Sequence, residues 1–251
     1  MFALLMASLL GDASQKRQEK TYLSTQTRME KIAKSLQFYA QFHDYLPCPA
    51  SREVPLNSAN FGRSSTKCQT PSVTLDGTQM IPNVVGSPDQ YQLIVGMVPV
   101  RELGLKDDDA FDSWKRRITY IMIRSTGVYP NGYRSYSPWQ MNDYPVICKL
   151  PNNIPVNTPP SDLPVICNAP NNIASGTSPS NLPAFILISH GIDGKGAFTQ
   201  AGTLFRACAA SYDSENCDDD KLLLLSPLVA NVAETHANYY HDILLWRPIV
   251  R

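Results

Sequence analysis

The chain has 251 residues, with 22 basic and 22 acidic side chains and a formal net charge of zero. That balance excludes the basic excess typical of a nucleic-acid-binding surface. Twenty prolines and 13 glycines exclude a chain that is helical throughout, and the length suits one large domain or two small ones.

The first element is a helix. No proline precedes Pro47, and Gly11 is the only glycine in that stretch. Met1 to Leu10 is apolar. From Ala13 to Phe42, Leu23, Met29, Ile32, Leu36, Tyr39 and Ala40 recur at helical spacings and predict one apolar stripe. Lys16, Arg17, Glu19, Lys20, Arg28, Glu30, Lys31 and Lys34 supply the polar side. Asp44 and Pro47 end the helix, because proline biases its predecessor away from the α region. About forty helical residues span roughly 60 Å, too long to fold within a compact domain of this size. Such a helix must protrude, insert in a membrane or pack against copies of itself. Ile32, Leu36 and Tyr39 are read as contacts to the protein's own sheet. Met1 to Leu10 is too short to cross a bilayer, which needs about 20 apolar residues, so a natural chain beginning further upstream is the expectation.

Residues 51–89 read as a long loop with one short strand or turn. Gln92–Val98 and Ile118–Ile123 predict strands, the second buried, and Val100–Leu105 a short helix or turn closed by Gly104. Between Tyr129 and Pro183 the chain is rich in proline and asparagine. There Tyr144–Ile154 repeats as Leu163–Ile173, each copy carrying P-V-I-C and P-N-N-I. Two copies are too few for a solenoid, so a duplicated β-arm or hairpin is expected. Ala184–Ser189 predicts a strong strand, 191–196 a tight turn, Leu222–Leu225 a short strand or helix end, and Tyr239–Trp246 a final strand. Trp114 and Trp246 are read as core anchors. The fold class is therefore α+β: a spine helix over 1–45, then a domain over 46–251 with a small antiparallel sheet, large loops and an insertion at about 125–183.

Six cysteines, Cys48, Cys68, Cys148, Cys167, Cys208 and Cys217, form no C-x-x-C pair and have few histidines beside them, which argues against a zinc site. An even count suits disulfides in an oxidising compartment. Fifteen connectivities are open; sequential pairing, with each bond closing a short loop, is the expectation. Reduced thiols in a cytosolic protein are the competing reading.

Three groups of residues, in order, carry a resemblance. Ser35–Tyr39 followed by Tyr45-Leu-Pro-Cys-Pro-Ala50 is the first. Val98-Pro99, Leu103-Gly104-Leu105, Asp112-Ser-Trp114 and Ile118-Thr-Tyr120 form the second. Ile188-Ser-His-Gly191-Ile-Asp193-Gly194-Lys-Gly196 followed by Asp242-Ile243-Leu-Leu-Trp246 is the third. Together they resemble the type IV pilin-like proteins, the pseudopilins and minor pilins of bacterial type II secretion and type IV pilus systems. The family's leader, cleavage site and early helix glutamate are not found here, and the insertion is not part of the resemblance.

The resemblance implies a filament subunit without a catalytic step. It would be held in the inner membrane before assembly, then join a periplasmic or surface filament with other pilin-like subunits, driven by assembly machinery. Phe2, Leu4, Leu5, Leu9 and Leu10 would form its membrane and assembly segment. No cofactor is required, but relatives of similar ending bind calcium in a C-terminal loop. Asp213, Glu215, Asp218, Asp219 and Asp220 are the oxygen-rich candidates here, with Asp107–Asp109 a second acidic run. Tyr133, Tyr136, Trp139 and Tyr144 cluster in the insertion and suit a partner interface, where aromatic residues are enriched. A disulfide-stapled periplasmic or secreted binding module is the alternative. Ser189, His190 and Asp193 offer nucleophile, base and acid for a hydrolase, but neighbours on a strand face opposite ways, and no G-x-S-x-G elbow is present.

Overall fold

A computed structural model describes residues 2–43, 45–64, 79–81, 91–125, 146–149, 166–167, 183–208, 216–217, 222–225 and 240–248. Helix α1 spans Phe2–His43 in 42 residues without a break, about 63 Å at 1.5 Å per residue. Its side chains are described from Lys16 onward. Among the described residues no helix is long and apolar enough to cross a membrane.

Among the described residues the main sheet has five strands: β1 (Gln79–Ile81), β2 (Tyr91–Met97), β3 (Thr119–Ser125), β6 (Pro183–Ser189) and β8 (Ile243–Pro248). They lie in the order β1-β2-β3-β6-β8, and every neighbouring pair is antiparallel. The β-branched and aromatic content of β3 and β6 suits central positions, and β6 is buried along its whole length. The expected strands at 92–98, 118–123 and 184–189 are present within one or two residues. The last strand begins at Ile243 rather than Tyr239, because Tyr240 and Asp242 are used as buried polar anchors before it.

A smaller sheet holds β4 (Val146–Lys149), β5 (Ile166–Cys167) and β7 (Leu222–Leu225). β4 pairs antiparallel with β5, setting Cys148 opposite Cys167. The described parts of the two repeat copies thus pair with each other, Lys149 with Ile166 and Cys148 with Cys167, and the rest of both copies lies outside the described residues. β4 also pairs in parallel with β7, so this sheet is mixed, unlike the purely antiparallel expectation. Parallel pairing here needs a long connection and leaves no local sequence mark.

Helix α1 lies on β6 and β8. Met29, Ile32, Ala33, Leu36 and Ala40 are buried there, with Ile94, Met97, Tyr120, Phe185 and Leu187 in the same core. Ile32 and Leu36 meet the expectation of sheet contacts. Tyr39 does not: it stacks on His43 at 4.1 Å and meets Tyr45 edge-on at the helix end. Leu23 also departs from the predicted stripe, being 52 % exposed, because its phase turns it away from Met29 and Ile32. Trp114 packs on the margin of the core rather than at its centre, and Trp246 is half-buried.

Cys208 and Cys217 are joined by a disulfide, as sequential pairing requires. Cys48 is also disulfide-bonded, while Cys68 lies outside the described residues. The side chains of Cys148 and Cys167 are likewise outside them. No described cysteine is free.

Candidate functional site

The first candidate is the outer surface of α1. Lys16 to Lys20 are all exposed, and the buried positions run from Thr25 to Ala40. Phe38 and Phe42, one turn apart, are 61 % and 70 % exposed with ring centroids 4.5 Å apart. Large apolar side chains grouped at that exposure mark a contact surface more often than single exposed residues do. They flank a groove of about 730 Å³ walled on the other side by Glu102, Leu103 and Gly104. Burial, then Tyr45 and Glu102 nearby, push the Tyr39 phenol above its ordinary range.

The domain is fixed to the helix by polar contacts along one flank. Thr25 Oγ1 accepts the amide of Ser113 at 3.1 Å. Arg28 donates to the carbonyls of Asp108 and Phe111, Lys31 pairs with Asp109 at 2.7 Å, and Glu30 pairs with Arg247. The helix end is therefore held in a defined orientation on the sheet.

The second candidate is a buried polar joint at the end of the sheet where β6 stops. Ser189 Oγ donates to Asp112 Oδ2 at 2.7 Å. Asp112 Oδ1 accepts the amides of Trp114 and Arg116, each at 2.9 Å. His190 Nε2 meets Thr119 Oγ1 at 3.1 Å, and its Nδ1 lies 3.8 Å from Asp242 Oδ2, beyond hydrogen-bond range. Asp193 pairs with Lys195 at 3.2 Å. Ser189, His190 and Asp193 thus turn to three separate partners. The geometry forms no Ser–His contact and all three are buried, as the alternation of strand faces implied.

Burial raises the carboxyls of both Asp112 and Asp242 above the ordinary range, against the hydrogen bonds that stabilise their charged forms. Asn216 joins this region to the smaller sheet. Its amide nitrogen donates to Asp242 Oδ2 at 3.0 Å and Leu224 O at 3.1 Å, and its oxygen accepts Leu224 N at 2.8 Å. Tyr240 Oη donates to the same Leu224 carbonyl at 2.6 Å.

The turn over 191–196 is built as its glycines imply. Gly191, Gly194 and Gly196 all have positive φ, a region open to glycine at little cost. The neighbours grade them. A Cβ on Gly191 would stand 2.1 Å from the carbonyl oxygen of His241, whereas one on Gly104, also at positive φ, would meet nothing within 4 Å. Gly191→Ala is expected to cost about 3 kcal/mol or more and Gly104→Ala about 1 kcal/mol, read from urea unfolding midpoints. Equal losses would show that the close approach to His241 carries no weight.

The other sequence candidates fall elsewhere. Asp213, Glu215, Asp218, Asp219, Asp220, Tyr133, Tyr136, Trp139 and Tyr144 lie outside the described residues. So do the side chains of Phe2, Leu4, Leu5, Leu9 and Leu10, although the helix backbone runs through them. Among the described residues no cluster of three or more His, Cys, Asp or Glu side chains is gathered for a metal. The second acidic run is engaged internally, with Asp107 on Arg101 at 3.1 Å and Asp109 on Lys31. Sequence reasoning missed Arg117, Thr119, Asn216 and Tyr240, whose partners lie many residues away and leave no local pattern.

The described parts define an α+β protein: one long helix on an antiparallel sheet, with a disulfide near the C-terminal strands. No protein-family model, curated protein or solved structure matches the chain.

Proposed function

We propose that the chain is a structural subunit that assembles through its N-terminal helix into a filament of the type II secretion pseudopilus or type IV pilus kind. One observation carries this reading: a 42-residue helix in which, among the residues whose side chains are described, the buried positions span Thr25 to Ala40, while Lys16–Lys20 ahead of them are exposed. A helix longer than the sheet it covers is useful when its remainder packs on something else, and helices associate through apolar stripes. Phe2, Leu4, Leu5, Leu9 and Leu10 supply the apolar tip for that contact, and for retention in the bacterial inner membrane before assembly. Other pilin-like subunits and the assembly machinery are the partners in this reading, in the membrane and periplasm. Calcium at the acidic loop over 213–220 belongs to the same proposal.

A double substitution Leu5→Glu and Leu9→Glu places two charges one turn apart on one side of the tip. Self-association of the full chain is expected to fall at least tenfold, each buried charge costing more than 1.4 kcal/mol, while the melting temperature changes little. Unchanged association in the double variant would remove the helix tip from the assembly.

A periplasmic or secreted binding module is the second reading, favoured by the groove beside Phe38 and Phe42. It requires a monomer whose ligand affinity falls on Phe38→Ala.

A further inference from the structure

We propose that the Cys208–Cys217 disulfide is an exchangeable latch, a redox modification site that controls docking of the smaller sheet onto the main one. The two cysteines differ in surroundings. Cys208 is exposed, whereas Cys217 is half-buried against Gly196, where an added Cβ would stand 2.4 Å from the Cys217 Cβ and 3.4 Å from His190 Cε1.

Both ends of the bridge lie against the turn after β6, and the Cys217 end also reaches the smaller sheet. On the Cys208 side, Gly196 N donates to Arg206 O at 2.9 Å and Phe205 N to Ala197 O at 2.7 Å, fixing this arm to the turn after β6. On the Cys217 side the neighbouring residue is Asn216. Its amide brackets the backbone of Leu224 in β7 and reaches Asp242 and Tyr240. β7 in turn carries β4, and β4 carries β5. The bridge therefore holds in place Asn216, which with the Tyr240 hydroxyl links the backbone of β7 to the residues leading into β8.

Exchange begins at the exposed sulfur. A dithiol's thiolate attacks Cys208 Sγ, forming a mixed disulfide and breaking the Cys208–Cys217 bond. The electron pair leaves on Cys217 Sγ, which takes a proton from water. The dithiol's second thiol then attacks its own sulfur in the mixed disulfide and displaces Cys208 as a thiolate, which takes up the proton that thiol gives up. The protein gains two electrons and two protons, and the dithiol leaves as its own disulfide. Exposed bridges exchange faster than buried ones, since access governs attack. Once the bridge opens, nothing covalent holds Asn216 in place, and the hydrogen bonds of Asn216 and Tyr240 to Leu224 are left to keep β7 on the main sheet, so β7 separates more readily. The five-stranded sheet keeps its own ladders and the α1 core.

The test uses the full chain, oxidised, with dithiothreitol as the dithiol. Graded reduction followed by alkylation and peptide mapping should label Cys208 and Cys217 about tenfold faster than Cys48, which is buried. In the species opened only there, and in a Cys208→Ser/Cys217→Ser variant, the amides of Leu222–Leu225 should exchange hydrogen at least about tenfold faster. Those of Ile121 and Ile186 should be unchanged, and reoxidation should restore β7 protection. Earlier labelling of Cys48, unchanged β7 exchange, or simultaneous loss of protection in both sheets would each overturn the latch. The last would make the bridge a brace for the whole fold.

Discussion

Replacing Arg117 with methionine is expected to cost about 3–5 kcal/mol of folding stability, and lysine is not expected to restore it. Arg117 is buried, and its guanidinium donates to the carbonyls of Thr199 at 2.7 Å, Val54 at 2.6 Å and Gln200 at 3.0 Å. It also lies over the Phe61 ring, 5.1 Å from its centroid. From just ahead of β3 these contacts tie the segment after the helix to the 198–203 turn, where Leu56 N also donates to Gln200 O. Methionine fills the volume of the stem but removes three charge-assisted hydrogen bonds, each worth about 1.5–3 kcal/mol, and leaves the Val54 carbonyl without a donor, while Gly202 N still reaches Thr199 O and Leu56 N still reaches Gln200 O. Lysine keeps the charge and loses the planar fork that reaches several acceptors at once. Burial lowers the Arg117 guanidinium to about 10. Between that value and the ordinary arginine value the unfolded chain binds more protons, so its contribution changes only in strong alkali and rises with pH there. Urea unfolding of the two variants at neutral pH measures the loss. A change below 1 kcal/mol in Arg117→Met would mean the carbonyls find water unaided.

Asp112→Ala is expected to cost about 3–4 kcal/mol, while Asp112→Asn stays within about 1 kcal/mol of the native protein. Alanine strands two backbone amides and the Ser189 hydroxyl. Asparagine retains an oxygen for the Trp114 and Arg116 amides, and its nitrogen can donate to Ser189 Oγ, which then acts as acceptor. The pair also separates hydrogen bonding from charge. Burial raises the Asp112 carboxyl, so below the ordinary carboxylate value of 3.8 both folded and unfolded forms are protonated, and the contribution to stability is fully present. It is lost as pH rises through the higher folded value, because the folded state then binds more protons than the unfolded one. Asp242 behaves with the same sign, again through burial. Removing one of these two groups by Asp112→Asn should therefore leave a variant that gains relative to the native protein as pH rises from 4 to 7. A constant difference across that range would show that Asp112 titrates alike in both states.

The strands over 92–98, 118–123 and 184–189 were legible because apolar, β-branched runs bury on both sides and need no partner to be recognised. The helix was legible through the lack of proline before Pro47 and the spacing of Met29, Ile32 and Leu36. Leu23 and Tyr39 were not, since apolar character gives no sign of which side of a helix meets the sheet and which meets solvent. The polar joint was half visible. Asp112, Ser189, Asp193, Asp242 and the glycines stood out in motifs, but which of them meet did not, since Asp112 and Ser189 join across 77 residues and Asn216 and Asp242 across 26. Asn216 looks in sequence like an ordinary loop polar residue. The parallel pairing of β4 with β7 was hidden for the same reason: Val146 and Leu222 share no local signal.

Self-assembly through α1 is the central claim, and sedimentation velocity of the intact chain over a hundredfold concentration range, with electron microscopy of the same samples, tests it most directly. Elongated species that grow with concentration, and that the Leu5→Glu/Leu9→Glu variant does not form, are the predicted result. A single monomeric species at every concentration would contradict it and leave the groove at Phe38 and Phe42, with a binding module's role, as the better account.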